Sequence, residues 1–257
     1  MAALVALSLS LLAGLATGVG GVLGVLGGGM SRRFLAGALG FAAGVMTCVS
    51  LLEILPQSAA DLQSAGASPW LALLAAVLGG VAVFVFSAAA RFRSRRELPA
   101  PGEDRQRAAL LRTGVVTAIA ITAHNFPEGF ATFLTALHDP AVALPVVAAI
   151  ALHNIPEGIA VAVPIHHATG KRGKALLASV GSGLAEPAGA IIGWLLLAPF
   201  LTPAVLSAVL AGVGGIMLTI CVTELLPAAR VQREGRATIA GLVVGAVVMA
   251  ISLALLA

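Results

Sequence analysis

Apolar runs of about 20 residues follow one another from end to end of this chain, and that is the length a helix needs to cross the hydrocarbon core of a bilayer. Such runs lie near 2–26, 34–56, 68–90, 113–136, 144–166, 174–198, 204–228 and 237–257. With 59% hydrophobic and 10% charged residues, the composition excludes an ordinary soluble domain. The runs do not alternate with period two, which excludes a transmembrane β-barrel. The expectation is an all-α integral membrane protein with eight transmembrane helices and a single transmembrane domain over 1–257.

The basic residues set the orientation. Arg32 and Arg33 follow the first run, and Arg91, Arg93, Arg95, Arg96, Arg105, Arg107 and Arg112 follow the third. Lys171, Arg172 and Lys174 follow the fifth, and Arg230, Arg233 and Arg236 the seventh. All 15 Lys and Arg therefore fall on one side of an eight-span arrangement. By the positive-inside rule that side is the cytoplasm, so both termini lie outside. Topology alone explains these charges, and no nucleic-acid partner is needed. The N-terminal run has no positive n-region and reads as the first span rather than a cleaved signal. Cys48 and Cys221 both fall within runs, which argues against a disulfide framework. Glycines such as Gly14, Gly18, Gly21 and Gly24 have the spacing that lets helices pack closely in lipid.

The Arg- and Pro-rich stretch 91–112 is expected to be a cytoplasmic linker separating spans 1–3 from the rest. The chain also repeats internally. Span 2 carries Met46, Ser50, Glu53 and Pro56, and span 7 carries Met217, Cys221, Glu224 and Pro227, with Met seven residues before Glu and Pro three after it in both. The two spans run in opposite directions in the charge-derived topology. An inverted repeat follows, with spans 1–3 against 6–8 and the 4–5 pair between them, a 3+2+3 arrangement.

Spans 4 and 5 hold two near-identical hexapeptides, His-Asn-Phe-Pro-Glu-Gly at 124–129 and His-Asn-Ile-Pro-Glu-Gly at 153–158. Each puts an imidazole and a carboxylate four residues apart, on one face of a helix. A carboxylate at the bilayer centre costs at least about 2.5–3.5 kcal/mol. Counted from the connection near 137–143, both motifs reach similar depth, so His124, Glu128, His153 and Glu157 can converge on one divalent cation. Mixed nitrogen and oxygen ligands suit Zn, Fe, Mn, Co or Cd better than Ca or Mg. Pro127 and Pro156 deprive the carbonyls of Ala123 and Leu152 of their usual partners. A proline kink with a self-satisfied His–Glu pair would account for one motif, but two copies at matched depth favour the ion.

Glu186 is a third mid-span carboxylate and also precedes a proline. Either it is a helix–helix hydrogen bond, or it completes a second metal position with Asn125 and Asn154, Glu128 and Glu157 bridging. Met46, Ser50 and Glu53 share one helix face, as do Met217, Cys221 and Glu224. Packing is the simpler account of the methionines. The two glutamates read as entrance and exit of an ion path or as residues snorkelling to the interfaces. His166 and His167 end span 5, His138 and Asp139 fall in an outer loop, and Trp70 and Trp194 sit near span ends as interfacial anchors.

The paired hexapeptides, the Ala-Glu-Pro of span 6 and the Met-x6-Glu repeats together resemble the ZIP family of divalent metal-ion transporters, in its compact ZupT-like bacterial branch. The resemblance covers essentially the whole chain. It implies import of divalent transition metals, zinc and also iron, manganese, cobalt or cadmium, across the cytoplasmic (inner) membrane of a bacterium through a two-metal site. The implied ligands are His124, Asn125, Glu128, His153, Asn154, Glu157 and Glu186, with Met46 contributing to the first site in some members. The metal is cargo, and no catalytic cofactor is implied. Two departures stand out: 91–112 contains no histidine, and Asn154 takes a position where some members have Asp. On this reading an ion enters at Glu53, is held by the hexapeptides, and leaves past Glu224 when spans 4 and 5 shift as a unit. A membrane metalloenzyme is the main alternative, but no His-Glu-x-x-His helix is present. Monomer and homodimer are both compatible with the sequence.

Overall fold

The apolar runs fold as helices because a chain in lipid must satisfy every backbone N–H and C=O internally. The computed structural model describes residues 2–26, 31–97, 103–138, 140–197, 200 and 202–256. Among them there is no strand, and eight helical rods follow one another. These are α1 (Ala2–Leu26), α2 (Arg32–Ser64), α3 (Trp70–Glu97), α4 (Glu103–His138), α5 (Pro140–Thr169), α6 (Arg172–Leu196), α7 (Pro203–Val231) and α8 (Gly235–Leu256). Six of them, α1, α2, α3, α6, α7 and α8, are long and apolar enough to cross a membrane. The other two, α4 and α5, carry the hexapeptides. Large aliphatic side chains such as Leu78 on α3 and Val247 on α8 point outward, the reverse of a soluble protein's surface.

Local signals set the ends. Ser31 caps α2 by accepting from the Phe34 N–H at 3.1 Å, and Thr202 caps α7 by accepting from Val205 N–H at 3.3 Å, with Pro203 in the first turn. Gly170, at φ +66°, closes α5 in the left-handed conformation that favours glycine.

Two boundaries differ from the sequence expectation. Span 2 was expected to end near 56, but α2 runs on to Ser64. Pro56 falls at the start of the final α-helical stretch, directly after a π turn at Ser50–Ile54, so its missing N–H does not break the rod. The stretch 91–112 is also largely helical, since α3 continues to Glu97 and α4 begins at Glu103. The intervening 98–102 lie outside the described residues.

Glycines divide the helices into two sets. In the first, α1, α4, α5 and α6 meet backbone to backbone. Gly20 of α1 faces the Ile155 carbonyl of α5, Gly158 of α5 faces the Thr17 carbonyl of α1, and Gly129 of α4 lies on the Glu186 backbone of α6. Polar ties reinforce this set, with Ser179 Oγ donating to the Thr17 carbonyl at 2.7 Å. In the second set, α2 packs on α8 through Gly44 and Gly241, and α3 packs on α7 through Gly215. Between the sets the core is built of side chains, with Met46 and Val49 of α2, Ala160 and Val163 of α5, and Met217 and Ile220 of α7 in one cluster. The 4–5 pair therefore does not stand alone between two triads. It is locked to α1 and α6, because only glycine lets two backbones come this close.

Candidate metal centre

Both α4 and α5 stay helical through Pro127 and Pro156, so each hexapeptide keeps its His and Glu on one face. His124 Nε2 lies 3.2 Å from Glu128 Oε2 within α4, as the i,i+4 spacing requires. It also lies 3.2 Å from Glu157 Oε1 of α5, and His153 Nε2 lies 2.9 Å from Glu128 Oε1. The pairs are thus cross-braced between helices, which disposes of a His–Glu pair satisfying itself on one helix. The imidazole centroids are 6.4 Å apart.

All four side chains are buried, Glu157 completely. Ligand atoms of His124, Glu128 and His153 lie within 4.8 Å of one another. A tetrahedral ion with bonds near 2.0–2.2 Å needs its ligand atoms about 3.3–3.6 Å apart. The observed His–Glu separations are a few tenths of an ångström tighter, so small rotations would admit an ion.

A second layer lies against α6. Asn125 Nδ2 donates to the Ser182 carbonyl at 3.1 Å, and Asn154 Nδ2 donates to the Ala13 carbonyl of α1 at 2.9 Å and to Glu186 Oε1. Both amide groups are thereby turned so that their carbonyl oxygens are left over. Asn125 Oδ1, Asn154 Oδ1, Glu157 Oε2 and Glu186 Oε2 are buried without a hydrogen-bond partner. Unpaired oxygens in the interior are costly, and a bound cation would satisfy them. Of the eight expected ligands, His124, Glu128, His153 and Glu157 are in mutual contact, Asn154 is tied to Glu186, and Asn125 is tied to the α6 backbone. Met46 is fully buried in the side-chain core shared with Met217.

Two cavities lie at opposite ends of α4 and α7. One, about 420 Å³, is lined by Glu53, Gln57 and Asp61 of α2 and reaches His124, Glu128 and His153. The other, about 360 Å³, is lined by Arg105, Arg112 and Thr113 of α4 and by Glu224 and Gln232 of α7. Of these two cavities, the Glu53 cavity is the one that the His–Glu cluster lines. Glu53 is partly buried on a cavity wall, whereas Glu224 is 1% exposed and accepts from Thr113 Oγ1 at 3.3 Å, so it does not snorkel.

Ser50, Met217 and Cys221 line neither cavity. Ser50 Oγ donates to Met217 Sδ at 3.7 Å, and Cys221 Sγ points to the Ala43 carbonyl at 3.6 Å. These are packing contacts between α2 and α7. His166 and His167 are half-buried in the last turn of α5. Asp139 and the His138 side chain lie outside the described residues. Trp70 is exposed, and Trp194 packs on Phe133 with ring centroids 5.3 Å apart.

Sequence reasoning missed Gln57 and Asp61. Their spacing of four and eight residues after Glu53 was a usable signal, hidden by ending the helix at Pro56.

Residues 94–253 match the family described as ZIP Zinc transporter. The chain belongs to the ZIP family. It is 49% identical to the protein named Zinc transporter ZupT of Corynebacterium efficiens, over 97% of this chain and 96% of that one. It is 47% identical to the protein of that name from Chlorobium limicola, over 98% of each, and 44% identical to that from Streptococcus mutans, over 96% of each. The paired hexapeptides on α4 and α5 fall inside the ZIP-matched region, as does Glu186 on α6.

Proposed function

We propose that this chain imports zinc, with iron, manganese, cobalt and cadmium as further candidate cargo, across the cytoplasmic membrane of a bacterium. The observation that carries the reading is the cross-braced cluster of His124, Glu128, His153 and Glu157 at the foot of the Glu53 cavity. Two carboxylates offset the charge of a divalent ion, and two imidazoles favour a transition metal over Ca or Mg. Asn125, Asn154 and Glu186 form the second position, with Glu128 and Glu157 between the two. The relatives named as zinc transporters support zinc in particular.

All eight helices cross the bilayer in this reading, with both termini outside and the basic residues in the cytoplasm. The Glu53 cavity then faces outward. The membrane potential, about 2.3 kcal/mol per charge per 100 mV, drives a divalent ion inward. The moving unit is larger than α4 and α5. Their glycine contacts with α1 and α6 cannot slide without collision, whereas the side-chain interface with α2, α7 and α8 can repack. The four-helix set shifts as one body.

Saturable uptake of radioactive zinc into proteoliposomes is the deciding measurement, with iron, manganese and cobalt as competitors. Zinc that bound but never crossed would overturn the reading and favour a metalloenzyme. Glu53 supplies field rather than coordination at the cluster, so Glu53→Gln is expected to raise KM for zinc about 3–10-fold with little change in kcat. An equal loss in kcat would place Glu53 in the transport step itself.

A further inference from the structure

Below the metal cluster, α4 carries Thr117 and Thr113 at seven and eleven residues before His124, on the same face. Eleven residues of helix span about 16 Å, and neither cavity enters the middle of that interval. The outer cavity stops at His124 and the inner one at Thr113. Thr117 lies between them, completely buried and with its hydroxyl unpartnered. A polar stripe that neither cavity reaches is what a closed route looks like.

This stretch is fastened at its lower end. Glu224 of α7, 1% exposed, accepts from Thr113 Oγ1 at 3.3 Å and lies 3.9 Å from Arg112 Nη2. Two turns further down, Gln106 Nε2 of α4 donates to Gln232 Oε1 of α7 at 3.5 Å. These contacts join the site-bearing helix set to the other set, across the interface that must move. Glu224 sits in a π turn at Cys221–Leu225, as Glu53 does in its counterpart at Ser50–Ile54, and such turns recur at functional positions.

We propose that Arg112, Thr113 and Glu224 form a latch that closes the cytoplasmic route, and that a divalent cation descending past Thr117 opens it by replacing Arg112 at the Glu224 carboxylate. This rests on the transport reading given above. A buried carboxylate needs a counter-charge, and losing one partner of such a pair costs far more than losing a surface pair. Arg112 supplies that charge in the closed state. The ion supplies it in the open one, so closure and cation presence exclude each other. Arg112 acts here as a positioning residue, not a ligand.

The test uses Thr117→Cys and a membrane-impermeant maleimide added to inside-out vesicles, with Cys48 and Cys221, both buried, as background. Labelling is expected to be negligible in the parent and to rise about tenfold or more in Arg112→Gln, the population change worth about 1.4 kcal/mol. The swapped pair Arg112→Glu with Glu224→Arg is expected to restore low labelling while blocking zinc uptake, and it carries the test if Arg112→Gln does not fold. Zinc supplied from the outer side is expected to raise labelling of the Thr117→Cys parent. Unchanged labelling in Arg112→Gln, or high labelling in the swapped pair, would overturn the latch. No response to zinc would overturn the exchange. A parent that labels as expected yet moves no zinc would sink the transport reading and leave the latch standing.

Discussion

Glu157→Gln is expected to abolish saturable zinc uptake into proteoliposomes while the protein stays folded. Glu157 is completely buried, with Oε1 3.2 Å from His124 Nε2 and neither oxygen holding a hydrogen-bond partner. Glutamine preserves the volume and removes no hydrogen bond, so packing survives and the thermal midpoint in detergent should stay near that of the parent. What disappears is one of the two charges that balance the ion. A net unit charge left in the bilayer interior costs at least about 2.5–3.5 kcal/mol, which is on the order of a 100-fold loss of occupancy. Asn125→Ala removes a neutral oxygen and no charge, so a loss of about tenfold is expected there, at the lower end of what disturbing a metal site costs. Initial rates across a range of zinc concentrations separate the two. Uptake by Glu157→Gln within threefold of the parent would remove the cluster from the transport path.

How much of this was readable beforehand depends on what the chain's periodicity can express. The hexapeptides announced their candidate ligands because the i,i+4 spacing of His124 and Glu128, and of His153 and Glu157, fixes direction on a helix whatever surrounds it. Matched depth predicts their convergence, and His124 lies 3.2 Å from Glu157 and His153 2.9 Å from Glu128 across α4 and α5. The grouping of α1 and α6 with that pair was not legible. It depends on which glycine meets which backbone, and Gly20 and Gly44 look alike in sequence though they serve different helix sets. Arg112 was counted as one of many topological charges, and its contact with Glu224 depends on α4 and α7 crossing where they do. The two asparagines were legible as candidate ligands from their place beside each histidine, but their orientation was not, because the carbonyls that hold them, those of Ala13 and Ser182, are distant in sequence.

The glycines that close the hexapeptides give the other large effect. A Cβ at Gly158 would fall on the Thr17 carbonyl and crowd the Gly21 nitrogen of α1, and one at Gly129 would fall on the backbone of Glu186. These obstacles are main chain and cannot rotate away, so the helices must separate. Gly158 is the neighbour of Glu157, and Gly129 of Glu128, so moving α5 off α1 or α4 off α6 displaces a carboxylate of the cluster. Gly158→Val is therefore expected to lower stability by about 1–3 kcal/mol or more, the cost of overpacking a dense core, and to lose zinc uptake with it. Gly181 offers the control on the same bundle. It is exposed on α6, and a Cβ there meets nothing within 4 Å. Gly181→Ala is expected to stabilise by about 0.4–1 kcal/mol through the lost freedom of the unfolded chain. Thermal unfolding of the two variants in the same detergent should move in opposite directions. If Gly158→Val instead melted with the parent, α1 would not be fastened to α5 at this point. The four helices could not then be carrying the metal site as one body.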